Sequence, residues 1–172
     1  MRGREVSLLE APYPQLEEML PVMKQVQTGK MVLPEFQRSF VWANTDIKDL
    51  LVSLLNGHFI GTLLFLRRGD RFDFKIRYFE GVEKVKEDLP KDPDEKSVDK
   101  AVLDGQQRLT ALFYALYHPS LVRPKLASYP YRYFVRINER LAGKDWEDSI
   151  WSVSENDRTR DIDIDIGSGQ RK

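Results

Sequence analysis

The stretch that most constrains this chain is Ala101-Val-Leu-Asp-Gly-Gln-Gln-Arg-Leu-Thr110. It starts as a short apolar run and becomes an amphipathic helix. Leu109, Leu112, Phe113, Leu116 and Tyr117 recur at i, i+3, i+4, i+7 and i+8, which is one helical face. Between strand and helix lies a polar hinge, Asp104-Gly105-Gln106-Gln107-Arg108. The hinge admits two readings. In one, Asp104 is the N-cap and Gln107 the N3 partner of a capping box, with no ligand involved. In the other, an anion sits at the helix start, which accounts for two residues that capping leaves idle. Gly105 costs about 1 kcal/mol in a helix relative to Ala, but it lets an anion approach the backbone N–H groups. Arg108 puts a positive charge at the positive end of the macrodipole, from where it can lean back toward the anion. Without ligand, Arg108→Ala is expected to be neutral or slightly stabilising on either reading.

The chain of 172 residues is long enough for one domain with a proper core. Its 27 basic and 27 acidic residues cancel, so a nucleic-acid site would have to be a local patch. Cysteine is absent, which excludes disulfides, thiolate metal sites and Cys nucleophiles and fits a reducing, cytoplasmic compartment. Met1-Arg-Gly-Arg-Glu5 has no apolar core behind it and does not read as a signal peptide. No apolar run approaches the ~18 residues of a membrane span.

In chain order, residues 1–12 read as a loose arm. Pro14 to Gly29 reads as helix, with Pro21 expected to break or kink it. Met31 to Leu33 is a short strand, and Pro34 to Trp42 a loop carrying Phe36, Gln37, Arg38, Phe40 and Trp42. The next helix is capped by Asn44 or Thr45, with Asp46 and Asp49 favouring its positive end. Its buried stripe is Ile47, Leu50, Leu51, Leu54 and Leu55, and Asn56-Gly57 stops it. Ile60 to Leu66 fits a buried strand, Arg68-Gly-Asp70 a turn, and Arg71 to Phe79 an alternating strand with one wet face. Glu83 to Lys100 is highly charged and reads as a mobile surface excursion. Arg123, Lys125, Arg132, Arg136 and Arg140 surround a strand over Tyr131 to Ile137. With Tyr129, Tyr131 and Tyr133 that strand suits either a solvated face or a nucleic-acid backbone contact. Asp145 to Ser152 reads as a short helix, His58 as a surface residue after a helix stop, and His118 as the end of the motif helix, where a cation is favoured. Residues 156–172 are expected to form a tail or the start of a following domain.

Two stretches together resemble a known family. Leu33-Pro-Glu-Phe-Gln-Arg-Ser-Phe-Val-Trp42 and Val102-Leu-Asp-Gly-Gln-Gln-Arg-Leu-Thr110 are similar to the N-terminal domain of GmrSD-type, modification-dependent restriction enzymes, within the ParB/sulfiredoxin-like superfamily. The similarity runs from Leu16 to Tyr117. It implies nucleotide binding and hydrolysis at the Asp-Gly-Gln-Gln-Arg loop: Asp104, Gln106 and Gln107 in catalysis, Gly105 and Arg108 in binding, joined by Gln37 and Arg38. Triphosphate chemistry agrees, because it needs positioned donors and a metal more than covalent catalysis. Arg38 and Arg108 supply charge-assisted donors. Gln106 or Gln107 can orient a water. Asp104 repels phosphate unless Mg²⁺ or water lies between, which makes it the metal or water contact. Phe36, Phe40 and Trp42 suit core packing or base stacking.

The family also pairs this domain with a separate His-Asn-His nuclease, and no such motif occurs among the two His of this chain. The chain alone is therefore not expected to cut DNA. The expectation is an α/β (α+β) domain over residues 13–155, a small mixed sheet surrounded by helices. It would bind and hydrolyse a nucleoside triphosphate with Mg²⁺ as the regulatory part of a DNA-targeting phage-defence nuclease. Its partners would be DNA, a nuclease domain in cis or in trans and possible further copies of itself, with no membrane. The alternatives are a ParB-like DNA-binding module switched by nucleotide and a plain protein-interaction domain.

Overall fold

In the computed structural model, residues 16–156 are described except 68, 70, 71, 120 and 121. The arm at 1–12 and the tail beyond 156 lie outside the described residues. In order, the elements are α1 (Met19–Gln27), β1 (Met31–Pro34), α2 (Asn44–Leu55), β2 (Leu64–Arg67), β3 (Ile76–Arg77), α3 (Val82–Val85), β4 (Lys100–Asp104), α4 (Gln106–Tyr117), β5 (Tyr131–Val135), α5 (Ile137–Leu141), α6 (Trp146–Ser149) and β6 (Ile150–Ser154).

The sheet is small and mixed, as expected. Its order is β2-β4-β1-β3, with β1 parallel to β4 and the two outer strands antiparallel to their neighbours. Helix α4 is the axis of the domain. Leu109, Leu112 and Phe113 are buried as the periodicity requires, but so are Thr110, Ala111 and Tyr114, while Leu116 is exposed. The helix is thus enclosed on several sides rather than resting on one face: α1 and α2 pack on it, and Tyr133 of β5 meets Tyr114 edge-on. One core gathers α1, α2 and α4 on one face of the sheet. A smaller core of Val32, Phe72, Val98 and Ala101 covers part of the other.

Several expected elements change for local reasons. Pro21 does not kink α1, because the helix begins at Met19 and Pro21 lies in its first turn. The first intrahelical bond is Val22 N–H to Glu18 O, so proline gives up no hydrogen bond there. Helix α2 is capped neither by Asn44 nor by Thr45. Ala43 is its N-cap, and Asp46 accepts the Ala43 N–H at 2.8 Å. Asn44 instead donates to Ser152 Oγ and accepts from Tyr133 Oη, which ties α2 to β5 and β6. Strand β2 is an edge strand, with Leu64 and Leu66 exposed rather than buried. The expected strand at 71–79 shrinks to Ile76–Arg77, and the charged stretch at 83–100 holds α3 and the buried Val98. The expected helix at 145–152 ends at Ser149, and Ile150 begins β6, which pairs with β5 in a second, two-stranded sheet. Arg136 and Arg140 of the basic stretch lie over Trp151 and Trp146, and Arg132 pairs with Glu155. His58 is exposed, as expected.

Candidate functional site

Strand β4 ends at Asp104, and Gly105 turns the chain directly into α4. Gly105 has φ 88°, the left-handed region that side chains avoid, and a Cβ there would run into Leu63. Gly105 is therefore the N-cap, and the capping box on Asp104 and Gln107 is not formed. Asp104 stays in the strand. Gln107 points across to the other motif, accepting from Val41 N–H at 2.9 Å and donating to Ser39 O at 3.1 Å.

The other two glutamines do the same. Gln106 Nε2 donates to Arg38 O at 2.6 Å. Gln37 Nε2 donates to Val102 O at 2.7 Å and Leu103 O at 3.0 Å, which leaves its Oε1 buried without a partner. Amide side chains suit this work, since each carries a donor and an acceptor for opposed backbone groups. From the opposite side, Arg77 Nη2 donates to Gln37 O and Arg38 O, and Glu80 accepts the Phe40 N–H at 2.8 Å. Nothing in the sequence marks Arg77 or Glu80 beyond their place in and after a half-wet strand. Phe40 is buried and Trp42 packs against the main core, whereas Phe36 is exposed and meets Phe74 edge-on.

Arg108 is committed to the backbone as well. Its Nη1 donates to Ile60 O at 2.7 Å and its Nη2 to Thr62 O at 2.8 Å, with Asp104 at 3.4 Å. The guanidinium lies across Gly61, whose φ is 94° and whose missing Cβ makes the room. So Arg108 fastens the segment before β2 onto the start of α4.

What remains uncommitted faces one space. Arg38 is exposed, and among the described residues its guanidinium has no partner. The Asp104 carboxylate is 68% exposed. Leu109 N–H closes the first turn on Gly105 O at 3.0 Å. The N–H groups of Gln106, Gln107 and Arg108 therefore have no acceptor inside the helix. These groups border a cleft of about 370 Å³ lined by Gln37, Arg38, Trp42, Leu103 and Asp104 to Arg108. The seven residues expected to bind or turn over nucleotide, Gln37, Arg38 and Asp104 to Arg108, all line it. A second cleft of about 520 Å³ adjoins, sharing Trp42 and Arg108 and adding Asp46, Asp49, Leu50, Ser53, Phe59 and Ile60. In the sequence Leu50 reads as helix stripe, Asp46 and Asp49 as dipole partners and Ile60 as strand, while nothing marks Ser53 or Phe59.

Among the described residues no group of three or more His, Asp or Glu side chains could hold a metal by itself. A lone exposed carboxylate still fits Mg²⁺, which is commonly held by one or two carboxylates together with substrate phosphates.

Fold and cleft define a class: a mixed α/β domain in which a Phe-Gln-Arg loop is sewn onto an Asp-Gly-Gln-Gln-Arg helix start. The chain belongs to the family described as GmrSD restriction endonuclease, N-terminal domain, which it matches over residues 19–170. The match thus extends past Tyr117 through β5 and β6. The chain is also 36% identical over 143 residues to "Uncharacterized protein MJ0686" of Methanocaldococcus jannaschii. That alignment takes in 83% of this chain and 24% of the relative, so the chain spans about a quarter of that protein's length. No solved structure matches. Among the described residues, no helix is long and apolar enough to cross a membrane.

Proposed function

We propose that this domain binds a nucleoside triphosphate in the cleft at the start of α4 and hydrolyses it, as the regulatory part of a DNA-targeting restriction nuclease whose cutting domain lies elsewhere, in cis or in trans. One observation carries the reading. Two motifs some 65 residues apart, the separation of the Gln37–Val102 bond, close around a helix start and leave anion-facing donors and one exposed carboxylate free. The first-turn N–H groups and Arg38 take the phosphates. Asp104 would hold a Mg²⁺, which would supply neutralisation of the phosphate charge. Gln107 has spent both ends of its amide on the loop. Gln106 keeps Oε1 unclaimed by any described protein donor and is the better placed of the two to orient a water. That water attacks the γ-phosphorus, the bond to the β–γ bridging oxygen breaks, and diphosphate nucleotide and phosphate leave. Arg108 acts as a positioning residue, holding Asp104 and the wall at Ile60 to Thr62.

The test combines melting curves and phosphate release with each of the four ribonucleotides and Mg²⁺. At least one should raise the melting temperature and be turned over. Asp104→Asn should keep the ligand shift and lose turnover by about a hundredfold or more, the scale of a positioned charge or base. No ligand shift with any nucleotide overturns binding, and undiminished turnover in Asp104→Asn removes that residue from the chemistry.

A further inference from the structure

We infer that the second cleft, along α2, is the nucleoside half of the same site, and that it selects ribonucleotides through their sugar hydroxyls; this rests on the proposal that phosphates bind at the start of α4. The argument is one of polarity. A nucleoside triphosphate is anionic at one end. At the other it offers hydroxyl and amino donors and an uncharged π face. The paired clefts carry the matching asymmetry. The first holds Arg38 and the α4 N–H groups, with Asp104 at its edge. The second holds Asp46, Asp49 and the aromatic rings of Trp42 and Phe59. Trp42 and Arg108 border both, so one ligand can occupy the two at once. Both volumes fall in the range of small-molecule sites.

Carboxylates accept hydrogen bonds and donate none, so Asp46 and Asp49 reject phosphate and welcome a diol. Asp46 spends one oxygen on the Ala43 N–H, leaving the other free. Asp49, one turn on, has no partner among the described residues. Leu50 and Ile60 give the cleft an apolar floor, and Phe59 is 83% exposed beside it. An aromatic left in water in a cleft that Trp42 also lines has a use if a base stacks there. Acceptors for the sugar and rings for the base, beside donors for the phosphates, leave a bound nucleotide only one orientation.

The experiment measures dissociation constants by calorimetry, with Mg²⁺ throughout. The probes are ATP, GTP, CTP and UTP, the 2′-deoxy form of whichever binds best, and inorganic tripolyphosphate, which fills only the phosphate half. In the wild type the best ribonucleotide should bind about tenfold or more tighter than tripolyphosphate and several-fold tighter than its deoxy form. Asp49→Asn should shrink the ribose-to-deoxyribose ratio toward one. Phe59→Ala should weaken the ribonucleotide about tenfold. Both positions are exposed, and tripolyphosphate binding should hold within about twofold in both variants. If ribonucleotide, deoxyribonucleotide and tripolyphosphate bind the wild type alike, the nucleoside subsite is wrong while the phosphate reading stands. A variant that weakens tripolyphosphate as much as nucleotide also overturns it. If no probe binds, both readings fall together.

Discussion

The two ends of α4 solve the same problem in opposite ways. Each is flanked by a residue in the left-handed region, Gly105 at φ 88° and His118 at φ 45°. At the C-terminal end a side chain bears that conformation, and its surroundings hold it there. His118 Nε2 and Arg132 Nη2 meet the same Glu155 oxygen at 2.8 and 3.3 Å, and Tyr131 N–H donates to the Tyr114 hydroxyl. Hydrogen bonds from His118 and then Arg132 hold the Glu155 carboxyl below its ordinary value, though its partial burial opposes them. Burial pushes the Tyr114 hydroxyl up to about 12 and raises Tyr133 as well. Strands β5 and β6 lie over this end as a structural joint. At the N-terminal end the side chains serve the scaffold while the helix's own donors stay open to a cleft. At the C-terminal end paired side chains make a joint, although His118 Nδ1 and Arg132 Nε stay buried without a partner among the described residues; at the N-terminal end the open helix N–H groups make a candidate site.

Substitution at Gly105 should break that contrast hardest. Gly105→Ala strains φ and drives a Cβ into Leu63, so it should cost about 2–4 kcal/mol. Urea or thermal unfolding measures this, and a loss under about 0.5 kcal/mol would mean the turn relaxes freely. Arg108→Ala comes next, and here the expectation from sequence reverses. Helix propensity and the dipole favour removing the arginine, but it holds Ile60 O and Thr62 O. Each such bond to a charged donor contributes about 1.5–3 kcal/mol. Water can reach part of this site, so a net loss of about 2 kcal/mol is expected. A neutral or more stable Arg108→Ala would show the clamp to be incidental.

That reversal marks where the sequence was legible. Pattern and motif identified β4, α4, β1, α2 and the seven candidate residues, which are among the nine that line the first cleft, because those signals are local or lie within a short spacing. The partners were invisible. Gln37, Gln106 and Gln107 look like site residues and also act as tethers, a role that depends on backbone carbonyls and one N–H more than sixty positions away. Gly61 could be seen, but not the Arg108 guanidinium that needs its missing Cβ. Asp46 and Asp49 look like dipole partners because nothing local says that a cleft opens beside α2. Strand β6 hid behind the turn of Trp146–Ser149, whose composition extends unbroken into Ile150 and Trp151.

A smaller effect sharpens the joint. Glu155 has its folded-state pKa depressed, so its contribution is present above its ordinary 4.5 and is lost as pH falls through the lower folded value. Glu155→Gln should therefore be less stable than wild type at about pH 6, with the gap narrowing toward about pH 3. Parallel melting temperatures across that window would remove Glu155 as a pH-dependent contributor at this end of α4.

Arg38→Ala carries the smallest expected effect on the empty protein and the most information about the open end. Its backbone carbonyl anchors Gln106 and Arg77, and truncating the side chain leaves those bonds in place. The guanidinium is exposed and unpartnered among the described residues, so unfolding should change by less than about 0.5 kcal/mol. With nucleotide the outcome differs. At a hundred times its dissociation constant, a ligand that binds only the folded state stabilises it by ~2.7 kcal/mol. Losing a charge-assisted phosphate contact removes ~1.5–3 kcal/mol of binding, roughly one to two decades of affinity. At the same nucleotide concentration the stabilisation should then drop to between ~0.4 and ~1.4 kcal/mol. Melting curves with and without nucleotide and Mg²⁺, run on wild type and variant together, measure the difference directly. Equal ligand shifts would mean that the free arginine at this cleft touches no phosphate, and the start of α4 would have to hold its anion on backbone N–H groups alone.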